Sequence, residues 1–190
     1  MALILASGSP IRRQMLAAAG VAFEVIAPGI DESAIKAGDD EPAAIALGLA
    51  EAKARAIDAP SWIIGSDSVV SVDGRRFDKP ADRDQAAEHL RFFSGKTMVL
   101  TSAVALAKGG TVDWSIADEA RLRVRTLSED FIRHYLDAEW PDVAYCVGVF
   151  RMEGRGVTLF DRVDGDHFTI LGMPLLPLLG ALRERGLVTA

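Results

Sequence analysis

Ile63-Ile64-Gly65-Ser66-Asp67-Ser68-Val69-Val70 is an apolar strand that delivers a carboxylate, flanked by two hydroxyls, into the middle of a second apolar run. An acid placed in a buried strand loses its hydration, so Asp67 needs a cation, a proton or several strong hydrogen bonds. A second reading of the same residues stays open, in which Gly65-Ser66-Asp67 is a bend between two strands and Asp67 bonds to its own backbone. The readings differ in what surrounds Asp67, and the flanking segments supply the candidates.

Downstream, Val72-Asp73-Gly74-Arg75 is a hairpin signal with Asp-Gly as the turn. It returns Arg76-Phe77-Asp78-Lys79-Pro80 toward the strand and brings Lys79 back toward the level of Ser66 and Asp67, with Pro80 holding Lys79 extended, so that Lys79 is expected to supply the cation Asp67 demands and a phosphate ligand. Upstream, Pro42 starts an alanine-rich helix predicted over residues 42–58, with Ile45, Leu49, Ala52 and Ala56 along one face. Lys53 lies four residues beyond Leu49, so its stem runs beside that stripe and its ammonium can reach the edge of the core; without a partner site it reads as an ordinary solvated lysine.

At the start of the chain, Leu3-Ile4-Leu5-Ala6 reads as a short buried strand, followed by Ser7-Gly8-Ser9-Pro10 and a helix over residues 11–20. Ser9 suits the N-cap, Pro10 the first helical position and Gly20 the stop. A strand, a hydroxyl-rich turn and a helix start form an anion site, because free backbone N–H groups and the helix dipole face one point. Arg12 and Arg13 have the wrong sign for that dipole unless an anion meets them, although adjacent helical side chains diverge by roughly 100° and one of the pair can be solvated. The Gly-Lys-Ser/Thr ending of a Walker A loop is missing. Phe23-Glu24-Val25-Ile26-Ala27 alternates as a second strand, and residues 29–41 read as an acidic loop opened by Asp31-Glu32. That pair either holds a divalent cation or is solvated loop acid.

Further on, an amphipathic helix is predicted over residues 83–93, two long strands over 97–107 and 111–125 around Lys108-Gly109-Gly110, and a helix capped by Ser128 and running to Asp137. Val147-Gly148-Val149-Phe150 and Val157-Thr158-Leu159-Phe160 read as strands bracketing a glycine-flanked turn that carries Glu153, whose carboxylate accepts two N–H donors or sits exposed and idle. Residues 161–166 form a second acidic stretch, and Leu171-Gly172-Met173-Pro174 enters a final apolar helix over residues 175–185.

Composition narrows the classes. The 190 residues suit one domain with a full core or a domain with a small lobe. A net charge of −6 argues against sequence-independent binding to long nucleic acid, which needs a basic face. Cys146 stands alone, so no internal disulfide forms; the Met1-Ala2-Leu3-Ile4-Leu5 start lacks signal-peptide features, and no apolar run approaches membrane-spanning length. A soluble cytoplasmic protein follows as the expectation. His89, His134 and His167 lack metal-ligand spacing, and neither a nucleophile elbow nor a dinucleotide fingerprint is present.

Taken together the motifs are more specific than their parts. Leu5-Ala6-Ser7-Gly8-Ser9-Pro10 with Arg12-Arg13, Ile30-Asp31-Glu32, Ala50-Glu51-Ala52-Lys53-Ala54, Ile64-Gly65-Ser66-Asp67-Ser68-Val69-Val70, Lys79-Pro80, Phe93-Ser94-Gly95-Lys96 and Gly172-Met173-Pro174-Leu175 occur in the order seen in the Maf family. The chain resembles that family over essentially its whole length. The family consists of nucleoside triphosphate pyrophosphatases, also described as septum-formation inhibitors. The resemblance implies an α/β fold, an elongated mixed β-sheet flanked by helices, as one domain of two lobes around a central cleft similar to house-cleaning inosine triphosphatases. It implies hydrolysis of a nucleoside triphosphate to the monophosphate and pyrophosphate with a divalent cation, Mg²⁺, Mn²⁺ or Co²⁺, and a homodimer.

Carried over position by position, the resemblance makes Asp67 the proton acceptor and Glu32 with Asp67 the metal ligands. It makes Ser7, Arg13, Lys53 and Lys79 phosphate-binding residues, with Arg12 a further candidate. Three positions sort the subfamilies. The thymidine and uridine triphosphate branch has Arg, Thr and Gln where this chain has Ile11, Ser68 and Glu153. The 7-methylguanosine triphosphate branch has Trp, Gln and Glu, and Glu153 alone matches it. A carboxylate at that place suits a guanine-type base, accepting from N1–H and the exocyclic amine, whereas thymine offers one N–H. The resemblance therefore implies 7-methyl-GTP or another non-canonical purine nucleotide, with dTTP and UTP hydrolysis or a non-enzymatic role in septum formation as the alternatives.

Overall fold

A computed structural model describes residues 2–38 and 41–189. Its strands are β1 (Leu3–Ala6), β2 (Glu24–Val25), β3 (Trp62–Val72), β4 (Arg75–Phe77), β5 (Thr97–Lys108), β6 (Thr111–Val124) and β7 (Phe160–Asp164). Its helices are α1 (Pro10–Ala18), α2 (Ser33–Lys36), α3 (Pro42–Arg55), α4 (Arg83–Phe93), α5 (Glu129–Glu139), α6 (His167–Ile170) and α7 (Leu175–Glu184). The strands form one sheet in the order β2-β1-β3-β5-β6-β7, with β4 pairing onto β3. β1 runs parallel to β2 and β3, while β3–β4 and β6–β7 are antiparallel, so the sheet is mixed and the fold is α/β. No helix among the described residues is long and apolar enough to cross a membrane.

Contacts divide the chain into two compact units. The first comprises Met1–Ser68, Thr101–Asp118 and Asp166–Ala190, the second Val69–Leu100 and Glu119–Gly165. In the first, the apolar strands β1 and β3 bury Leu3, Leu5 and Ile64 with Val104 and Leu106 of β5. Met15 and Leu16 of α1 and Leu178 and Leu182 of α7 belong to the same cluster. Each such side chain contributes about 1.5–3 kcal/mol relative to leaving it in water. α1 begins at Pro10, which supplies the fixed φ of a first helical residue, and its stop is Gly20 at φ +72°.

In the second unit α4 packs against α5. Asp82 caps α4 by accepting from the Gln85 N–H, and Ser128 caps α5 by accepting from the Phe131 N–H. Phe77 of β4 meets Phe93 edge-on, ring centroids 4.7 Å apart. The β3–β4 hairpin turns at Asp73 and Gly74, both at positive φ, the conformation an Asp-Gly hairpin turn requires.

Four sequence expectations are corrected. The third helix stops at Arg55 rather than Asp58, with Ala56 as its cap. Residues 29–41 are not wholly loop, because α2 forms one short turn there; Asp39 and Asp40 lie outside the described residues. Neither Val147-Gly148-Val149-Phe150 nor Val157-Thr158-Leu159 is a strand. Gly148 at φ +84° and Val149 at φ +59° turn the first, and residues 155–159 wind as a 3₁₀ turn in which the Thr158 hydroxyl donates to the Arg155 carbonyl. The acidic stretch 161–166 instead supplies most of β7, whose Arg162 and Asp164 pair opposite Arg123 and Arg121 of β6. Apolar alternation pointed to the wrong segment because this strand lies at the end of the sheet path and is exposed, so its sequence has no apolar face to show.

Candidate active site

In the first unit the site is built where β1 ends beside the middle of β3. Ala6 pairs with Gly65, so Ser7, the first residue after β1, is level with Ser66. The Ser7 hydroxyl accepts the Ser9 N–H at 3.2 Å and pulls the turn tight at the start of α1. β3 continues without a break through Asp67, so the bend is excluded; the acid sits in a strand, 16% exposed.

Gly65 brings the cation. α3 lies so close over this residue that a Cβ here would stand 2.0 Å from the Ala50 carbonyl oxygen and 2.6 Å from the Ala54 nitrogen. Only glycine permits that approach. It delivers Lys53, 13% exposed, to Asp67, with Nζ 2.7 Å from Oδ2. The same ammonium is 2.7 Å from Glu32 Oε1, whose other oxygen lies 2.8 Å from Lys36 Nζ. Asp67 Oδ1 accepts the Ser68 N–H at 2.7 Å. Partial burial pushes the Glu32 carboxyl up, but hydrogen bonds from Lys36 and Lys53 outweigh it and hold the group at about 2.

Behind this triad sits Arg12, 9% exposed. Its Nε donates to the Gly172 carbonyl at 2.8 Å, Nη1 to the Ser66 carbonyl at 2.9 Å and to Ser7 Oγ at 3.4 Å, and Nη2 to Ser68 Oγ at 3.0 Å. Burial lowers its pKa, while the charges of Asp67 and Glu32 raise it. Ser66 donates to the Ala103 carbonyl at 2.7 Å, and the Ser68 and Ser102 hydroxyls share a 2.8 Å hydrogen bond. One arginine thus ties the turn after β1, the strand carrying Asp67 and the turn before α7 into one piece.

The structure brings together Glu32, Lys53 and Asp67, and separately Ser7, Arg12 and Ser68. It does not gather every candidate. Arg13 follows Arg12 on α1 and faces solvent. Ile11 lines an apolar groove of about 370 Å³ with Met15, Phe168, Leu171 and Leu175. Sequence reasoning missed Lys36, Ser102 and the Gly172 carbonyl. Ser102 carried a usable signal, since with Thr101 it places two adjacent hydroxyls in the middle of a largely apolar strand, and Gly172 stood in a quoted motif; a carbonyl acceptor leaves no signature in a side chain.

In the second unit Lys79 is exposed in the coil after β4, and Glu153 is exposed in the turn at residues 152–154. Cys146, half-buried, has its thiol pushed up to about 11 by burial and by the Glu153 charge, with Arg151 and Lys79 opposing. Arg151 is held by Glu139 and Asp142.

No cluster of three acidic, histidine or cysteine side chains with metal-binding geometry occurs among the described residues. The donor set is two carboxylates, Glu32 and Asp67, converging on one ammonium. That suits a hard cation which takes one or two carboxylates and completes its shell from water and phosphate oxygens, and does not suit a closed protein cage.

A strand-borne carboxylate held by a lysine, beside a helix start braced by hydroxyls, defines a site able to hold an anion and accept a proton next to it. The chain belongs to the Maf-like protein family, whose profile matches residues 2–185. It is 45% identical over 195 residues to a protein of Rhizobium meliloti strain 1021 named 7-methyl-GTP pyrophosphatase, covering 99% of this chain and 98% of that one. It is 47% identical over 192 residues to the nucleoside triphosphate pyrophosphatase of Nitrobacter hamburgensis, covering 98% and 95%. Among solved structures, the Staphylococcus aureus Ham1 protein aligns with 98% of this chain and 100% of its own at 14% identity and a TM-score of 0.47.

Proposed function

We propose that this protein is a nucleoside triphosphate pyrophosphatase, hydrolysing its substrate to the monophosphate and pyrophosphate. The observation that carries the reading is the Lys53 ammonium held 2.7 Å from both Glu32 and Asp67, the latter midway along β3. Water attacks the α-phosphorus and gives its proton to Asp67, while the bond from that phosphorus to the α–β bridging oxygen breaks and pyrophosphate leaves with the electron pair. In the first unit Ser7, Arg13 and Lys53 hold phosphate oxygens and offset the charge that develops on them. Arg12, with its donors spent inside the protein, keeps Ser7 and Ser68 in register. Glu32 and Asp67 would hold a divalent cation, Mg²⁺, Mn²⁺ or Co²⁺, which when bound neutralises phosphate charge.

For the base, Glu153 supports a guanine-type ring, and the substrate proposed is 7-methyl-GTP or another non-canonical purine triphosphate. A cytoplasmic location and a homodimer accompany this reading. Pyrophosphate release is to be measured over canonical and methylated nucleoside triphosphates with Mg²⁺ or Mn²⁺, on the wild type and on Asp67→Asn. Release with a methylated purine, lost in Asp67→Asn, is the expected result. Preference for dTTP or UTP would replace the substrate assignment, and no release from any nucleotide would replace the enzyme by a non-enzymatic regulator of septum formation.

A further inference from the structure

Residues 140–159, between α5 and β7, contain no strand, yet the second unit anchors them firmly. The Tyr135 hydroxyl donates to the Val149 carbonyl at 3.0 Å, at a β-branched residue forced to φ +59°. Arg151 Nε and Nη2 both donate to Glu139 Oε2, at 3.2 and 2.9 Å, and its Nη1 lies 2.9 Å from Asp142 Oδ2. The Gly154 N–H donates to the Arg151 carbonyl at 3.1 Å, closing the turn that carries Glu153. A Cβ at Gly156 would stand 2.4 Å from that same carbonyl oxygen, so the chain presses directly on the arginine backbone.

Glu139 is a costly choice for this position. It is 5% exposed and is the last residue of α5, where the helix dipole opposes a negative charge. A buried acid is tolerated only when paired, and an apolar residue would pack there without that cost. Arg151 also stands two residues from Glu153, near enough in the turn for an uncommitted guanidinium to capture its carboxylate. With its donors committed to Glu139 and Asp142, Arg151 leaves Glu153 exposed.

We propose that Glu139 and Arg151 are positioning residues for base discrimination: their ion pair fixes the turn and keeps Arg151 off the Glu153 carboxylate. This rests on the reading of Glu153 given above, and a cycle of variants separates the two. Steady-state kcat/KM is measured for 7-methyl-GTP and for UTP in the wild type, Glu153→Gln, Glu139→Gln and the double variant, with a thermal melt of each. Glu153→Gln should reduce the 7-methyl-GTP to UTP ratio by roughly ten- to a hundredfold, as loss of charge-assisted hydrogen bonds to a base edge does. Glu139→Gln should reduce it by about five- to tenfold through KM for 7-methyl-GTP, with kcat/KM for UTP within about twofold, since a released Arg151 competes for Glu153. Added to Glu153→Gln it should change the ratio no further.

Arg151→Lys, which keeps a charge for the buried acid but loses the fork, carries the same test should Glu139→Gln fail to fold. An equal loss on both substrates, or an unchanged effect of Glu139→Gln in the Glu153→Gln background, overturns the positioning role while leaving Glu153 intact. An unchanged ratio in Glu153→Gln overturns the reading of Glu153 and the positioning role with it.

Discussion

Replacing Gly65 with alanine tests how Lys53 reaches Asp67. The added Cβ would stand 2.0 Å from the Ala50 carbonyl oxygen, 2.6 Å from the Ala54 nitrogen and 3.0 Å from the Ala54 Cβ. The two nearest atoms are backbone, so no side-chain rotation relieves the contact. Restoring an ordinary 3.4 Å separation from the 2.0 Å approach opens the strand–helix gap by up to about 1.4 Å. Overpacking of this kind costs about 1–3 kcal/mol, which for a chain of this length lowers Tm by roughly 2–12 °C. Lys53 precedes Ala54 on the displaced turn, so both its 2.7 Å contacts open together. A misplacement of about 1 Å in a catalytic constellation costs on the order of a hundredfold in rate. The assay is pyrophosphate release under conditions where the melt shows the variant fully folded. Ala54→Gly on top of the change removes only the 3.0 Å neighbour and should not rescue it. A Gly65→Ala protein with unaltered Tm and unaltered turnover would refute the argument that this glycine delivers the lysine.

Three further outcomes are expected. Lys53→Met should leave a folded protein, because Glu32 and Asp67 retain access to water, but should lower kcat/KM by roughly a hundredfold or more, the cost of removing one donor to developing phosphate charge. In the metal-free protein, Glu32, held at about 2 against an ordinary 4.5, contributes stability that is fully present above pH 4.5 and lost as the pH falls toward 2; subtracting the acid-unfolding curve of Glu32→Gln from that of the wild type should show a difference confined to that window. The Cys146 thiol titrates at about 11 because burial and the Glu153 charge oppose the thiolate, so its alkylation rate against pH should move to lower pH in Glu153→Gln and higher in Arg151→Met. An unmoved profile in both would show that neither charge faces the thiol.

What the sequence disclosed followed from how strongly each element advertises itself. The Asp-Gly hairpin, the capped helices α4 and α5, and the buried strands β1 and β3 are fixed by local chemistry, and their limits are legible to within a residue or two. β7 was not, because an exposed strand at the end of the sheet has no apolar face. Residues 147–150 misled for the opposite reason: Val-Gly-Val-Phe alternates like a strand, while a positive φ at two successive residues is set by tertiary anchors such as Tyr135. Within the site, the demand Asp67 makes for a cation is legible in the sequence, but the hairpin points to Lys79 for it, whereas Lys53, which helix geometry alone leaves on the surface, makes the contact. That Lys53 also bonds Glu32 depends on the path of residues 26–36, which no periodicity encodes.

Charge arithmetic within the first unit links these observations to the proposed reaction. The chain as a whole carries −6, yet Asp67 and Glu32 are met by Lys53 in direct contact with both, by Lys36 on Glu32 and by Arg12 acting at longer range. Arg12 itself donates only to carbonyls and hydroxyls, so those two acids are the negative charges that offset its burial. Arg12 cannot leave, because its withdrawal would strip donors from Gly172, Ser66 and Ser68 together; Lys53, on an unbranched stem with both contacts made by one nitrogen, can. If a triphosphate draws Lys53 toward its own oxygens, Asp67 is left facing the polyanion without its contact cation, and Glu32 keeps Lys36 alone. On the proposed reading that deficit is the reason a divalent cation belongs beside Glu32 and Asp67, and it predicts that Lys53→Met, which creates the same deficit permanently, should bind Mn²⁺ more tightly than the wild type in the absence of nucleotide, measurable by calorimetry; equal or weaker binding would show that the lysine and the metal do not compete for these acids.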